Sequence, residues 1–337
     1  MHEAPPRPAE PAEDKSPSDP PLAAPSGWSL GRLVKVAFAI GVLGFAALFV
    51  VERWDDLRHA LSQASVGWIV VATLLVAVGQ WAGCLGFRSV LSAAGREIPV
   101  LAAARVYFVS QLGKYLPGSI WPIVAVTEMS RRYGISRKAS AIAGVLGMYF
   151  AMTTATVLGV ILVPLGAIGH ASRLLWLIAL APVLIAMLHP RVVTWAVARA
   201  LRLTRRQPLP VEFSSAEWRG AVGWPALCWT LFGLHCWVLV IALGGPATSS
   251  LAVAVGGFCL AYTAGTLFVP APAGAGVREA VLGVALAAVI TESAAFTNNS
   301  IVIVVLLSRM IFAVLDFAQA GAVMLLSRRS HHVRVAG

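Results

Sequence analysis

Two stretches of this chain combine helix-breaking residues with charge inside otherwise apolar sequence. The first runs Gln111-Leu-Gly-Lys114-Tyr-Leu-Pro117-Gly118-Ser119, with Glu128 further on. The second places Pro270, Pro272, Gly274 and Gly276 directly before Arg278-Glu279. A main-chain bend within an apolar segment strands N–H and C=O groups, each costing several kcal/mol if unpaired in lipid. A half-helix that starts after such a bend offers free N–H groups and a positive dipole end. That is the chemistry of anion binding, and a phosphate fits it. Gly118-Ser119 and Gly274-Ala275-Gly276 occupy such starts.

Charges within the apolar stretches extend the set. Arg309 falls nine residues into the last apolar segment, and Asp316 follows seven residues later on the same helical face. An arginine at the centre of a membrane span costs about 2.5–3.5 kcal/mol on insertion scales. The candidate anion site is therefore Lys114, Gly118, Ser119, Gly274, Gly276, Arg278 and Arg309. Glu128, Glu279 and Asp316 are the candidate charge-balancing or proton-coupling groups. A plainer reading stands beside this one. The glycines allow close helix packing, and the charges form an internal ion-pair network, with Arg309 on Glu279 or Asp316.

Other chemistry finds no residues to carry it. The sequence has no phosphate-binding Walker loop, no GxSxG and no HExxH, and it suggests no catalytic residue, metal site or cofactor. His235 lies midway along an apolar stretch, as a satisfied core histidine or a proton relay. Cys84, Cys228, Cys236 and Cys259 all lie in apolar sequence, without metal or redox spacing, and read as small buried hydrophobes.

The elements that must position these residues are membrane helices. Of 337 residues, 58% are hydrophobic and 12% charged, about half the charged fraction of a soluble domain. Apolar stretches near the ~20 residues needed to cross a bilayer recur along the chain. They fall at about 33–51, 66–87, 139–163, 174–188, 225–243 and 300–326, with a long basic loop at 189–224. The two broken segments, 101–127 and 251–290, read as hairpins. The fold class is an all-α polytopic membrane protein of six to eight transmembrane helices, with two inverted, Pro/Gly-broken re-entrant hairpins. The first hairpin's leading arm, Val106–Tyr115, reaches ~15 Å, half the hydrocarbon core. The second's, Leu251–Val269, is long enough to cross.

Residues 1–30 are expected to be a disordered cytoplasmic tail, since eight of the 20 prolines fall in residues 1–27. A single membrane domain spans 31–327, with pseudo-repeats at about 66–188 and 225–326, and 328–337 form a short basic tail. With both termini cytoplasmic and each broken segment returning to its own side, eighteen Lys and Arg beyond the N-terminal tail face the cytoplasm and three the far side. That bias fixes the orientation, and the expected location is the plasma membrane. The net charge of +11 thus reports topology and anionic-lipid contact, with no nucleic-acid partner.

The run Arg105-Val-Tyr-Phe-Val-Ser-Gln-Leu-Gly-Lys-Tyr-Leu-Pro-Gly-Ser-Ile-Trp121, with Glu128 and Arg131-Arg132, resembles the lysylphosphatidylglycerol synthase transmembrane-region family, also called flippase-like. Pro272-Ala-Gly-Ala-Gly-Val-Arg-Glu279 and Ser308-Arg309 are similar to that family's second hairpin and final helix. The likeness runs from about 33 to 326. It implies a lipid-translocating fold, here a stand-alone member, since the chain stops soon after the last span where synthases carry a soluble transferase domain. The expected function is a flippase for an anionic phospholipid or a polyprenyl-phosphate-linked lipid. The alternatives are a membrane-embedded transferase or transferase subunit, and a non-catalytic membrane partner. The expected partners are membrane lipids and a lipid-modifying enzyme or glycosyltransferase.

Overall fold

The computed structural model describes residues 65–95, 97–115, 120–166, 172–203, 211–268, 274, 276–287 and 296–335, with isolated positions 51 and 58. The tail at 1–30, the first expected span up to Val50 and the expected corner at Pro117-Gly118-Ser119 lie outside the described residues. Helices account for nearly all of the described residues, and no strand occurs among them.

The first half begins with α1 (Val66–Ala93), a long apolar helix. The broken segment then folds as α2 (Val100–Gln111), a 3-10 turn at Leu112–Tyr115, and α3 (Trp121–Ser130). Pro122 stands in the first turn of α3, where its missing N–H costs nothing. α4 (Arg137–Gly166) closes the half.

The expected fourth span is corrected in form. Residues Ser172–Leu180 are a 3-10 helix running into the short α5 (Ala181–Met187). A 71° bend then leads into α6 (Pro190–Leu203). The hydroxyl of Tyr149 and the indole of Trp218 donate to the carbonyls of Met187 and Leu188, satisfying main chain freed at the bend. The expected basic loop is thus partly a helix. Val193 is buried and Val197 partly so, one turn apart, while Trp195 stays exposed. Arg191, Arg199 and Arg202 hid this apolar stripe from a reading by mean hydropathy.

α7 (Ser215–Ala242) starts ten residues before Pro225, the break from which its span was expected to run. A capping box sets its true start: the Ser214 hydroxyl accepts from the Glu217 N–H, and the Glu217 carboxylate accepts from the Ser214 N–H. α8 (Ala247–Leu267), α9 (Val277–Ala287) and α10 (Asn298–Val335) complete the second half. Five helices, α1, α4, α7, α8 and α10, are long and apolar enough to cross a membrane, and the bent 174–203 pair makes a sixth candidate.

Close glycine contacts fix the directions of these helices. A side chain at Gly79 would meet Phe232, one at Gly83 Cys228, one at Gly86 Pro225, and one at Gly220 Ser89. As numbers rise on α1 they fall on α7, so the two are antiparallel. Gly159 likewise faces Leu260 and Gly166 faces Val253, which sets α4 antiparallel to α8. Gly233 meets Val255 and Trp229 meets Tyr262, which sets α7 antiparallel to α8. Hence α1 is antiparallel to α4, and 94–136 leaves and returns at one end of the bundle. His235 faces Ser308 and Phe232 faces Phe312, so α10 runs against α7 and the second broken segment also returns to its starting end. That end is the opposite one. The two hairpins are inverted, as charge parity required.

Glycine at the α1–α7 seam lets backbones approach where lipid gives no hydrophobic drive to association. A Cβ on Gly86 would sit 2.8 Å from Cδ of Pro225, a ring that cannot swing aside. Gly86→Leu is expected to lower stability by about 1–3 kcal/mol through overpacking, read as a lower unfolding midpoint in detergent.

Candidate functional site

Between the two hairpins lies a cavity of about 530 Å³. Lys114 and Tyr115 reach it from the first hairpin, Gly274 and Arg278 from the second, and Arg309 and Asp316 from α10. Its remaining walls are mostly apolar, among them Phe87, Val90, Ile123, Val126 and Phe150. The space therefore has a charged end and a greasy flank.

Asp316 is the hub of the charged end. It is buried, yet holds three partners. Lys114 Nζ lies 2.6 Å from Oδ2, the Tyr115 hydroxyl donates to the same oxygen at 2.6 Å, and Gln80 Nε2 donates to Oδ1 at 2.8 Å. Gln80 is near the middle of α1, so Lys114 and Tyr115 meet Asp316 near the middle of the bundle. Tyr115 also stacks on Phe317. A carboxylate so placed must be paired, because an isolated buried charge is too costly to keep.

Arg309 pairs with Glu279 at 2.7 Å, the first of the two partners open to it in the sequence. Glu279 also accepts from the Gly276 N–H at 2.6 Å. The chain's own carboxylate therefore occupies the start of α9, where an external phosphate was expected. Gly274 and Gly276 have φ of +69° and +85°. Gly274 abuts α8: a Cβ there would fall 2.7 Å from the Cα of Gly265. Its place is explained by left-handed geometry and close approach.

Arg278 differs from the other cations. It is 8% exposed, and its guanidinium lies over Phe258, Tyr262 and Phe312 at 4.7, 5.1 and 5.1 Å from the ring centroids. It makes cation–π contacts, while its buried Nη2 donates no hydrogen bond among the described residues.

Glu128 is not brought to this site. It is more than half exposed and pairs with Arg131 and Arg137 beyond α3. Gly118 and Ser119 lie outside the described residues. His235 is fully buried; its Nδ1 donates to the Phe232 carbonyl, and its Nε2 lies within hydrogen-bond distance of the Ser308 hydroxyl at 2.9 Å. It is a satisfied core histidine. All four cysteines are buried and free. No cluster of metal-ligating side chains occurs among the described residues.

Reading by motif passed over Gln80, Tyr115 and the aromatic trio. Gln80 carried a signal, being a lone amide deep in an apolar span. Phe258 and Tyr262, four apart on one helical face, carried another.

The family model described as lysylphosphatidylglycerol synthase TM region matches residues 32–315. This chain belongs to that family. None of the curated proteins compared with the chain matches it. Membership places the protein in the membrane and ties it to membrane lipids. The match takes in both hairpins and Arg309, and ends one residue before Asp316.

Proposed function

We propose that this member of the lysylphosphatidylglycerol synthase transmembrane-region family is a flippase. Its cargo is an anionic phospholipid or a polyprenyl-phosphate-linked lipid. The observation that carries this reading is one cavity reached by two inverted hairpins, with Lys114, Arg278 and Arg309 at its charged end. Inverted broken segments meeting at mid-depth are the arrangement of alternating-access transporters. The apolar flank suits acyl or prenyl chains, and the charged end suits a phosphate.

α10 links the two hairpins through opposite ion pairs, Asp316 with Lys114 and Arg309 with Glu279. A phosphate entering the cavity competes with each carboxylate for its cation. Loosening one hairpin while tightening the other would favour opening toward the other leaflet, which is the differential interaction a transport cycle needs. In this reading the hairpins are re-entrant, 66–188 and 225–326 are pseudo-repeats, and both termini lie in the cytoplasm beneath the plasma membrane. No catalytic step is assigned. A transferase would need an acid/base pair, for which the sequence offers only Glu128 or Glu279 with His235; the flippase reading is preferred because His235 bonds Ser308 in the core, Glu279 pairs with Arg309 and Glu128 with Arg137.

Reconstitution in vesicles with labelled phosphatidylglycerol and a labelled prenyl-phosphate lipid tests this. Arg309→Ala is expected to cut leaflet exchange at least about tenfold, as loss of a charge-assisted interaction with phosphate implies. Gly118→Leu should block it, since the sequence expects a phosphate seat at Gly118-Ser119. Wild-type rates in both variants would end the site assignment. No exchange of any lipid by the wild-type protein would end the flippase reading.

A further inference from the structure

The charges around the cavity do not balance. Among the described residues, Lys114, Arg278 and Arg309 stand in or beside it against Glu279 and Asp316 alone. Three cations against two carboxylates leave one positive charge in excess. The neighbouring segments 116–119 and 269–273 and Ala275 contain no ionisable side chain. The excess has an address. Lys114 and Arg309 each hold a carboxylate, whereas among the described residues Arg278 has neither an ion pair nor a hydrogen-bond acceptor for Nη2.

Arg278 is also pre-arranged. Three aromatic rings hold its guanidinium from α8 and α10, so little rotamer freedom remains to be lost on binding. A guanidinium presents a planar fork of donors that matches two oxygens of a phosphate. A phosphodiester has just two non-bridging oxygens and one negative charge. A phosphomonoester or diphosphate carries more charge, and the surplus would stay uncompensated where uncompensated charge is least tolerated.

From this we infer that the site selects a lipid bearing a single phosphodiester, with Arg278 as its phosphate-binding residue. The inference deepens the proposed function and rests on its site. The shared chemistry has two sources, a glycerophospholipid such as phosphatidylglycerol and a prenyl-phosphosugar. Both are monoanionic diesters on long apolar chains.

Binding to the full chain in nanodiscs, followed by calorimetry at pH 8.5, tests it. The probes are dihexanoyl-phosphatidylglycerol, a short prenyl-phosphoglucose, dihexanoyl-phosphatidic acid and dihexanoyl-phosphatidylcholine. At least one diester monoanion should bind about tenfold or more tightly than both the monoester and the zwitterion; which of the two diesters wins names the source. Arg278→Gln should lose that preference, and Arg278→Lys should keep only part of it, having charge without the fork. The Arg278→Gln unfolding midpoint should not fall, since the change removes an unpaired buried charge. Phosphatidic acid binding as tightly as the diesters overturns the inference, as does unchanged diester binding by Arg278→Gln, or no binding of either diester. A diester preference without leaflet exchange would remove the flippase reading and leave this inference standing. Leaflet exchange favouring the monoester would do the reverse.

Discussion

Asp316→Ala is expected to destabilise the protein by about 3–5 kcal/mol, the usual cost of stripping one partner from a buried ion pair. The loss has three parts. Lys114 is left as an uncompensated cation at the tip of the first hairpin, and the Tyr115 hydroxyl and Gln80 amide each lose an acceptor. The double change Lys114→Met with Asp316→Leu should recover more than half, because both charges leave together and only the two hydrogen bonds stay unmade. Unfolding midpoints of the wild type and these variants in one detergent measure the difference. If Asp316→Ala and the double variant unfold alike, the pair contributes little and the hairpin tip is held by its packing against α10. If Asp316→Ala matches the wild type, the hub does not form in solution.

That hub shows how far the sequence could be read. The helical class and the opposite directions of the two broken segments were legible, because they follow from span length, charge parity and the spacing of Pro and Gly. Asp316 and Arg309 stood out because lipid makes their presence costly. Their pairing was not legible. Either carboxylate could have reached Arg309, and only the approach of α9 to α10 decides for Glu279. The basic stretch after 189 misled because mean hydropathy hides an amphipathic helix, whose signal is periodic. Pro225 misled because a proline ends an isolated helix more readily than one packed against a neighbour, as Pro225 is against Gly86. Glu128 misled because a carboxylate near a hairpin was assumed to face inward. α3 instead ends before Arg131, and Arg131 and Arg137 draw it outward.

The second large effect separates two glycines that look alike in sequence. Gly274 and Gly276 both have positive φ, so alanine at either costs about 1–2 kcal/mol of backbone strain. Around Gly276 there is open space, and the cost should stop there. Around Gly274 there is none. The new Cβ would meet the Cα, C and O of Gly265 at 2.7–2.9 Å, and main chain cannot rotate away. Overpacking adds about 1–3 kcal/mol, and relief requires α8 and α9 to separate. A Cβ on Gly265 would itself lie 3.2 Å from Cβ of Arg278, so the separation also withdraws Arg278 from its aromatic seat. Gly274→Ala should therefore lower the unfolding midpoint clearly more than Gly276→Ala. It should also weaken diester binding in whatever fraction stays folded, whereas Gly276→Ala should bind as the wild type does. Equal midpoints would mean that the hairpin has room to relax. Lost binding in Gly276→Ala at an unchanged midpoint would return the start of α9 to the role first read from the sequence, as a direct seat for the phosphate.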